Sequence, residues 1–180
     1  LPFSFGILDI RLFNLDRHTG NMLVTKRKDL IPIDHGLCLP PVTDLGEAEF
    51  GWNWWPAARE PFSPEISNAV LNLSMFDDAN ILKRLGFEDS SVLTLLLCQV
   101  VLKRMVANGL TLYQISRLFL RRHENIPSMF ENFVRGAIIS GVFSTDRKHT
   151  KNVYFFQIFL GRPMPAIFLG GPMPGDAISG

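Results

Sequence analysis

The sequence DRHTGN occupies residues 16–21, and a second polar segment, DHG, closes the apolar run of LIPIDHG at residues 30–36. The first segment carries a carboxylate and an imidazole that can serve an incoming hydroxyl group. Asn21 and Asp34 add oxygen ligands from two places in the chain. Transfer of a γ-phosphoryl group needs this set, because one group must serve the nucleophile while others hold Mg²⁺ against the phosphates. The two segments therefore predict the polar half of a phosphotransferase site that uses MgATP.

Each segment also has a purely structural interpretation. Asp16 and Asn21 could be turn formers, because the short side chains of Asp and Asn readily bond their own backbone. His18 could be a structural hydrogen bonder, and Arg17 could serve only to position Asp16. Asp34 favours the functional interpretation, since a carboxylate at the end of an apolar strand is costly to bury unless a cation or donors compensate it.

The spacing of Asp16 and Asn21 matches the D-x-x-x-x-N of kinase catalytic loops, and DHG stands in the place of the kinase Asp-Phe-Gly. In this respect the chain resembles the phosphatidylinositol 3- and 4-kinase superfamily, most of all its plant type gamma phosphatidylinositol 4-kinases. The resemblance runs from about Ile7 to about Arg135 and ends there. Besides DRHTGN it rests on LDIRL at residues 8–12, LIPIDHGLCLP at residues 30–40 and WPAAREPFS at residues 55–63.

The resemblance implies roles for individual residues. The implied catalytic group consists of Asp16, Arg17 and His18, with Asp16 or His18 serving the nucleophile. Asn21 and Asp34 are the implied Mg²⁺ ligands, and together with Ile33 they form the implied contact with bound ATP. The implied reaction is transfer of the γ-phosphate of MgATP to an inositol hydroxyl of phosphatidylinositol. Two alternatives stay open: a protein Ser/Thr kinase of the same family, and an inactive truncated kinase fragment that acts as an interaction module.

The expected fold class is α+β, as the mainly helical C-terminal lobe of a protein-kinase-like fold with a short β-hairpin at the active site. A helix over residues 3–13 is predicted to deliver the catalytic loop, and strands over residues 22–25 and 30–33 form the hairpin. This lobe is assigned to residues 1–140. Residues 141–180 are predicted to be a charged connector and a disordered Pro/Gly-rich tail.

A complete kinase also has a first lobe, whose glycine-rich loop and strand lysine contact the phosphates. Neither G-x-G-x-x-G nor G-x-x-x-x-G-K-[ST] occurs in these 180 residues. We therefore expect that the N-terminal lobe is missing from the chain and that the chain alone is inactive.

The segment at residues 37–62 holds four prolines, two glycines and all three tryptophans, which predicts an irregular activation or substrate loop. Its tryptophans either pack on the helices or face substrate or membrane. The segment carries four acidic residues and one basic residue, Arg59. This balance disfavours a multiply phosphorylated lipid and leaves phosphatidylinositol or a protein hydroxyl as the acceptor. The acidic residues are Asp44, Glu47, Glu49 and Glu60.

Residues 63–139 are predicted to form helices with recognisable caps. We expect an N-cap at Ser63, a helix from Asp77 to Gly86, and a long helix from Asp89 or Ser90 through Val106 that Gly109 ends. Capping boxes at residues 111–114 and 128–131 should open two more helices, reaching about Arg122 and Ile139. A basic cluster is interpreted as a solvated helix face rather than a phosphate site. It consists of Arg117, Arg121, Arg122 and His123.

Composition limits the classes of function. A net charge of +1 gives no general attraction to nucleic acid, so no nucleic-acid partner is expected. Two isolated cysteines argue against a zinc site and a disulfide scaffold. The longest apolar stretch, residues 95–102, is too short to cross a bilayer. We expect a cytoplasmic protein with peripheral membrane contact.

Overall fold

The computed structural model describes residues 2–139, so the predicted connector and tail at residues 141–180 lie outside the described residues. Six helices and four short strands are described. The helices are α1 (Pro2–Leu12), α2 (Pro64–Leu71), α3 (Met75–Arg84), α4 (Asp89–Ala107), α5 (Leu112–Phe119) and α6 (Met129–Ile139). The strands are β1 (Asp16–Arg17), β2 (Met22–Val24), β3 (Leu30–Pro32) and β4 (Glu49–Phe50). Within residues 2–139 the fold is α+β and mainly helical, as predicted.

Helix α4 is the centre of the core. It is apolar on all sides and buried along nearly its whole length, and α1, α2 and α3 pack against it. By length and composition α4 could cross a membrane, but most of it is buried inside the protein, which is the pattern of a core helix.

Helix α1 ends in a Schellman motif that sends the chain toward the predicted catalytic loop. The Phe13 N–H bonds the Ile10 carbonyl at 3.2 Å, and the Asn14 N–H bonds the Asp9 carbonyl at 2.9 Å. The motif puts Phe13 in the left-handed region, at φ 43°, where a bulky residue is strained. Burial offsets that strain, because the ring has no exposed surface and packs against Phe119 and Phe130.

The strands form two separate pairs. Strands β2 and β3 are antiparallel, with Met22 opposite Pro32 and Val24 opposite Leu30, which confirms the predicted hairpin with each strand one residue shorter. Strands β1 and β4 are parallel, with Asp16 opposite Glu49 and Arg17 opposite Phe50. The prediction that residues 37–62 lack regular structure was therefore wrong in part. Strand β4 and two 3₁₀ helices, Gly51–Trp54 and Pro56–Arg59, lie in this segment.

Most predicted helix ends are confirmed. Ser63 caps α2, Thr111 and Gln114 form a full capping box at α5, and Gly109 follows α4 at φ 76°. The predicted cap at Asp77 was wrong. Ser74 is the N-cap of α3, and its hydroxyl accepts a hydrogen bond from the Asp77 N–H, so that Asp77 lies in the first turn as a carboxylate favoured by the helix dipole.

Helix α5 ends at Phe119, short of the predicted Arg122, because Leu120 is extended and turns Arg121 toward α6. Arg121 makes a two-pronged ion pair with Glu131, at 2.9 Å from Nε to Oε2 and 2.6 Å from Nη2 to Oε1. Glu131 also completes the predicted capping box with Ser128. The interpretation of the basic cluster as a solvated face was therefore wrong for Arg121, which joins α5 to α6.

Candidate functional site

Asp16 and His18 face each other on the surface of the loop between α1 and β2. Their closest atoms, Asp16 Oδ1 and His18 Nε2, are 3.8 Å apart, and the two side chains are 38% and 44% exposed. This separation is too long for a hydrogen bond but leaves both groups open to an incoming molecule. The Asp16 N–H is fixed by the buried side chain of Asn14, at 3.0 Å.

The ring of His18 has a defined orientation. Its Nδ1 atom accepts a hydrogen bond from the Gly20 N–H at 3.0 Å and thereby caps a short 3₁₀ helix, Thr19–Asn21. In the neutral ring the proton is then assigned to Nε2, which points toward Asp16. At 3.8 Å the two side chains make no hydrogen bond with each other, so Nε2–H stays available to a third group.

Asn21 and Asp34 lie side by side at the open end of the hairpin. The Ile33 N–H bonds the Asn21 carbonyl at 3.1 Å, so Asp34 follows directly after the residue paired with Asn21. Asn21 is buried, whereas Asp34 is exposed, in the left-handed region at φ 51°, and accepts a hydrogen bond from the Gly36 N–H. The prediction that these two residues flank one hairpin is confirmed.

The side chains at this end fit a magnesium ion. The Asn21 amide nitrogen donates to the Asp16 carbonyl at 2.9 Å and to its carboxylate at 3.3 Å, which leaves Oδ1 as the free end of the amide. One amide oxygen and one carboxylate suit Mg²⁺, which usually keeps several waters. Residues 2–139 hold no cluster of three or more His, Cys, Asp or Glu side chains suited to a metal.

Arg17 differs most from its predicted place. Its side chain has no exposed surface, and its Nε atom lies 3.0 Å from both carboxylate oxygens of Asp9. Its Nη1 atom donates to the carbonyls of Asn21 and Ile33, both at 2.6 Å. A guanidinium enclosed in this way contacts no substrate in this conformation. The burial of Arg17 favours the alternative of a positioning role, and its contacts are with the hairpin as well as with the segment of Asp16.

Two residues of this network had no predicted role. Asp9 is fully buried and accepts hydrogen bonds from Arg17, from Asn14 at 3.0 Å and from the indole of Trp52 at 2.8 Å. The sequence held one signal, because Asp9 is the only acidic residue of the apolar helix α1. Trp52 gave no signal that separated it from Trp54 and Trp55.

The segment after Asp34 packs back on the predicted catalytic loop. The Leu39 N–H bonds the Leu12 carbonyl at 2.7 Å, and the Leu15 N–H bonds the Leu37 carbonyl at 3.1 Å. Cys38 lies between these contacts, and burial, with smaller contributions from Asp9 and Asp34, raises the pKa of its thiol to about 11. The thiol is therefore protonated at neutral pH and is a poor nucleophile.

The tryptophans of residues 37–62 differ in exposure, and two of the charged side chains there contact residues outside the segment. Trp52 packs in the core as the structural alternative predicted, whereas Trp54 is 74% exposed. Among the acidic residues, Glu47 lies near a cation from outside the segment, with 3.9 Å between its Oε2 and Nη1 of Arg121. Arg59 instead stacks on the ring of Tyr113, with 3.7 Å from Cζ to the ring centre.

Comparison with known proteins identifies the family. The sequence profile described as phosphatidylinositol 3- and 4-kinase matches residues 4–115. Phosphatidylinositol 4-kinase gamma 8 of Arabidopsis thaliana is 38% identical over 160 residues, which cover 78% of this chain and 30% of that protein. Phosphatidylinositol 4-kinase gamma 5 of the same plant is 41% identical over 126 residues, or 64% of this chain and 20% of that protein.

A rice relative gives the same result. Phosphatidylinositol 4-kinase gamma 4 of Oryza sativa subsp. japonica is 39% identical over 140 residues, covering 74% of this chain and 24% of that protein. The chain thus spans less than a third of the length of these curated relatives. The match of the profile includes the predicted catalytic loop, the hairpin and most of the helices. The chain belongs to the phosphatidylinositol 3- and 4-kinase family.

Proposed function

We propose that residues 1–140 are the C-terminal lobe of a phosphatidylinositol 4-kinase of the gamma type, which transfers the γ-phosphate of MgATP to an inositol hydroxyl of phosphatidylinositol. The observation that carries the proposal is the placement of Asn21 beside Asp34, with the Asn21 amide bonded to Asp16. When bound at these oxygens, Mg²⁺ would neutralise charge on the phosphates. The names of the relatives support phosphatidylinositol as the acceptor.

Asp16 is the proposed group at the acceptor hydroxyl. Its carboxylate is exposed and is oriented by the amide of Asn21, so it can accept the hydroxyl proton as that oxygen attacks. His18 has its Nδ1 occupied by the Gly20 N–H, so Nε2–H is free to donate to a negatively charged oxygen nearby. Asp16 is therefore the proposed proton acceptor, and His18 is the proposed hydrogen-bond donor.

The nucleotide site needs groups that these 180 residues do not supply. The chain has no glycine-rich phosphate loop motif, and we propose that an N-terminal kinase lobe completes the ATP site. We also propose a cytoplasmic location with peripheral membrane contact, because the acceptor is a membrane lipid. The exposed indole of Trp54 suits such a boundary.

A transfer assay tests the proposal on the full-length protein that contains this chain. Radiolabel from ATP is followed into phosphatidylinositol vesicles and into a generic protein substrate in parallel. Label is expected in lipid. Label in protein alone would favour the protein kinase alternative, which the exposed carboxylates of Asp44, Glu49 and Glu60 would suit as contacts for a basic peptide.

The metal assignment is tested with one variant and one matched control. Asp34→Ala should abolish transfer while changing the free energy of unfolding by less than about 1 kcal/mol, because an exposed carboxylate is removed and not a core group. Glu124→Ala removes an exposed carboxylate from the connection between α5 and α6 and should leave transfer unchanged. More than about a tenth of the activity in Asp34→Ala would contradict the assignment.

A further inference from the structure

The buried side chains around Arg17 connect the loop at residues 37–62 to the hairpin that carries Asn21 and Asp34. We propose that Asp9 and Trp52 are positioning residues that act through Arg17 to fix the separation of Asn21 and Asp34, so that the segment carrying Trp52 sets the affinity of the divalent-cation site. This inference rests on the proposed function, in which those two residues hold Mg²⁺.

A single nitrogen of Arg17 holds both sides of the predicted cation site. Its Nη1 atom lies 2.6 Å from the carbonyl of Asn21 and 2.6 Å from the carbonyl of Ile33. One carbonyl belongs to a predicted ligand and the other to the residue directly before Asp34. Movement of the guanidinium would therefore break one or both of these hydrogen bonds and change the separation of the two ligands.

Asp9 sets the orientation of that guanidinium. Both of its oxygens lie 3.0 Å from Arg17 Nε, and the ion pair has essentially no exposed surface. Away from water such a pair is held firmly only when its remaining hydrogen-bonding positions are filled. Arg17 Nη2 is buried and has no partner within the described part of the chain, so the orientation of the guanidinium depends on its contacts through Nε and Nη1.

Trp52 completes the shell of donors around Asp9. Its indole N–H bonds Asp9 Oδ2 at 2.8 Å, and its ring is fully buried and stacks on Phe50 at 4.9 Å between centres. Without this donor, Asp9 Oδ2 would be a buried oxygen shared with Arg17 Nε alone. The carboxylate would then be held only through Asn14 and Arg17, and its Oδ2 atom, together with the guanidinium paired with it, could shift toward the missing donor.

The backbone joins the same two segments beside this contact. Strand β4 pairs with β1, where Phe50 lies opposite Arg17. A Cβ atom at Gly51 would come within 3.0 Å of the Arg17 carbonyl oxygen, so the two backbones touch there. The segment that carries Trp52 is therefore attached to Arg17 through its backbone and, through Asp9, to the Arg17 side chain.

The experiment measures Mn²⁺ binding to the 180-residue chain by the electron paramagnetic resonance signal of the free ion. Trp52→Phe keeps an aromatic ring for Phe50 but removes the donor to Asp9. It should weaken Mn²⁺ affinity about tenfold, the effect usual for partners that orient metal ligands. Trp54→Phe makes the same change at an exposed position and should bind Mn²⁺ like the unmodified chain.

A purely structural role for Trp52 gives a different result. It would lower the melting temperature, yet leave Mn²⁺ affinity unchanged at a temperature where the variant is fully folded, and that outcome would overturn the proposal. Arg17→Lys provides a second test, because an ammonium group that pairs with Asp9 cannot also bridge both carbonyls. Unchanged affinity in a folded Arg17→Lys chain would overturn the proposal as well.

Asp34→Ala separates this inference from the function on which it rests. If Asp34→Ala abolishes Mn²⁺ binding while Trp52→Phe binds normally, the cation site stands and the positioning role is wrong. If Asp34→Ala binds Mn²⁺ like the unmodified chain, the cation site itself is wrong.

Discussion

Gly6 lies where α1 packs against α5, and a methyl group in its place would not fit. A Cβ atom at Gly6 would lie 2.3 Å from Cδ2, 2.9 Å from Cδ1 and 3.0 Å from Cγ of Leu112. Leu112 is 1% exposed, so its side chain cannot swing out into solvent and must shift within the core. Overpacking of this kind costs about 1–3 kcal/mol. The better helix propensity of Ala returns about 0.5–1 kcal/mol, so the central values leave Gly6→Ala destabilising the fold by about 1 kcal/mol.

Gly136 in α6 provides the matched control. It also lies in a helix, but nothing stands within 4 Å of a Cβ atom built there. Gly136→Ala should therefore stabilise the chain by about 0.5–1 kcal/mol. The two substitutions restrict the unfolded chain equally, so their difference isolates the contact with Leu112. Urea unfolding followed by circular dichroism should shift the two midpoints in opposite directions at equal slope. An upward shift in both variants would refute the close packing of α1 on α5.

Three further results are expected. Arg121→Ala should cost about 3 kcal/mol in urea unfolding, because it leaves the carboxylate of Glu131, 2% exposed, without its cation, and a loss below about 1 kcal/mol would show that water replaces the guanidinium. Burial alone would raise the pKa of Glu131, but hydrogen bonds from Arg121 and the Ser128 N–H lower it from 4.5. That stabilisation is complete above pH 4.5 and is lost as the pH falls through the lower folded-state pKa, so between neutral pH and about pH 3 the unmodified chain should lose more stability than Glu131→Gln. The 180-residue chain alone should bind MgATP no more tightly than about 1 mM, since few protein contacts to the phosphates remain, and micromolar binding in calorimetry would contradict the division of the site between two lobes.

The features predicted correctly from the sequence depend on residues close together in the chain. The hairpin follows from two apolar runs and a charged turn. Its register pairs Asn21 with Ile33, the residue directly before Asp34. The capping box of Thr111 and Gln114 spans one helical turn and forms as predicted. Such signals depend on backbone geometry that is the same in every protein, so distant parts of the fold cannot easily override them.

The helix ends that were predicted wrongly show where this reasoning stops. Both Ser74 and Asp77 are residue types that cap helices, and the choice between them depends on where the chain leaves α2. The second wrong prediction is the end of α5. Arg121 favours a helix by propensity, yet the chain turns there because the buried carboxylate of Glu131 requires a cation. In both places tertiary contacts overrode a local preference.

Asp9 shows which part of the candidate site could not be predicted from the sequence. A carboxylate on the buried side of an apolar helix is costly unless several donors surround it, so the sequence alone indicates that donors must exist. It does not indicate which ones, because the donor from Trp52 comes from 43 residues away and two neighbouring tryptophans are chemically equal candidates. Burial separates them: the indole that reaches Asp9 has no exposed surface, whereas Trp54 is 74% exposed. The residues proposed to touch substrate are thus visible in local sequence, whereas those proposed to hold them in place become visible only when the chain is folded.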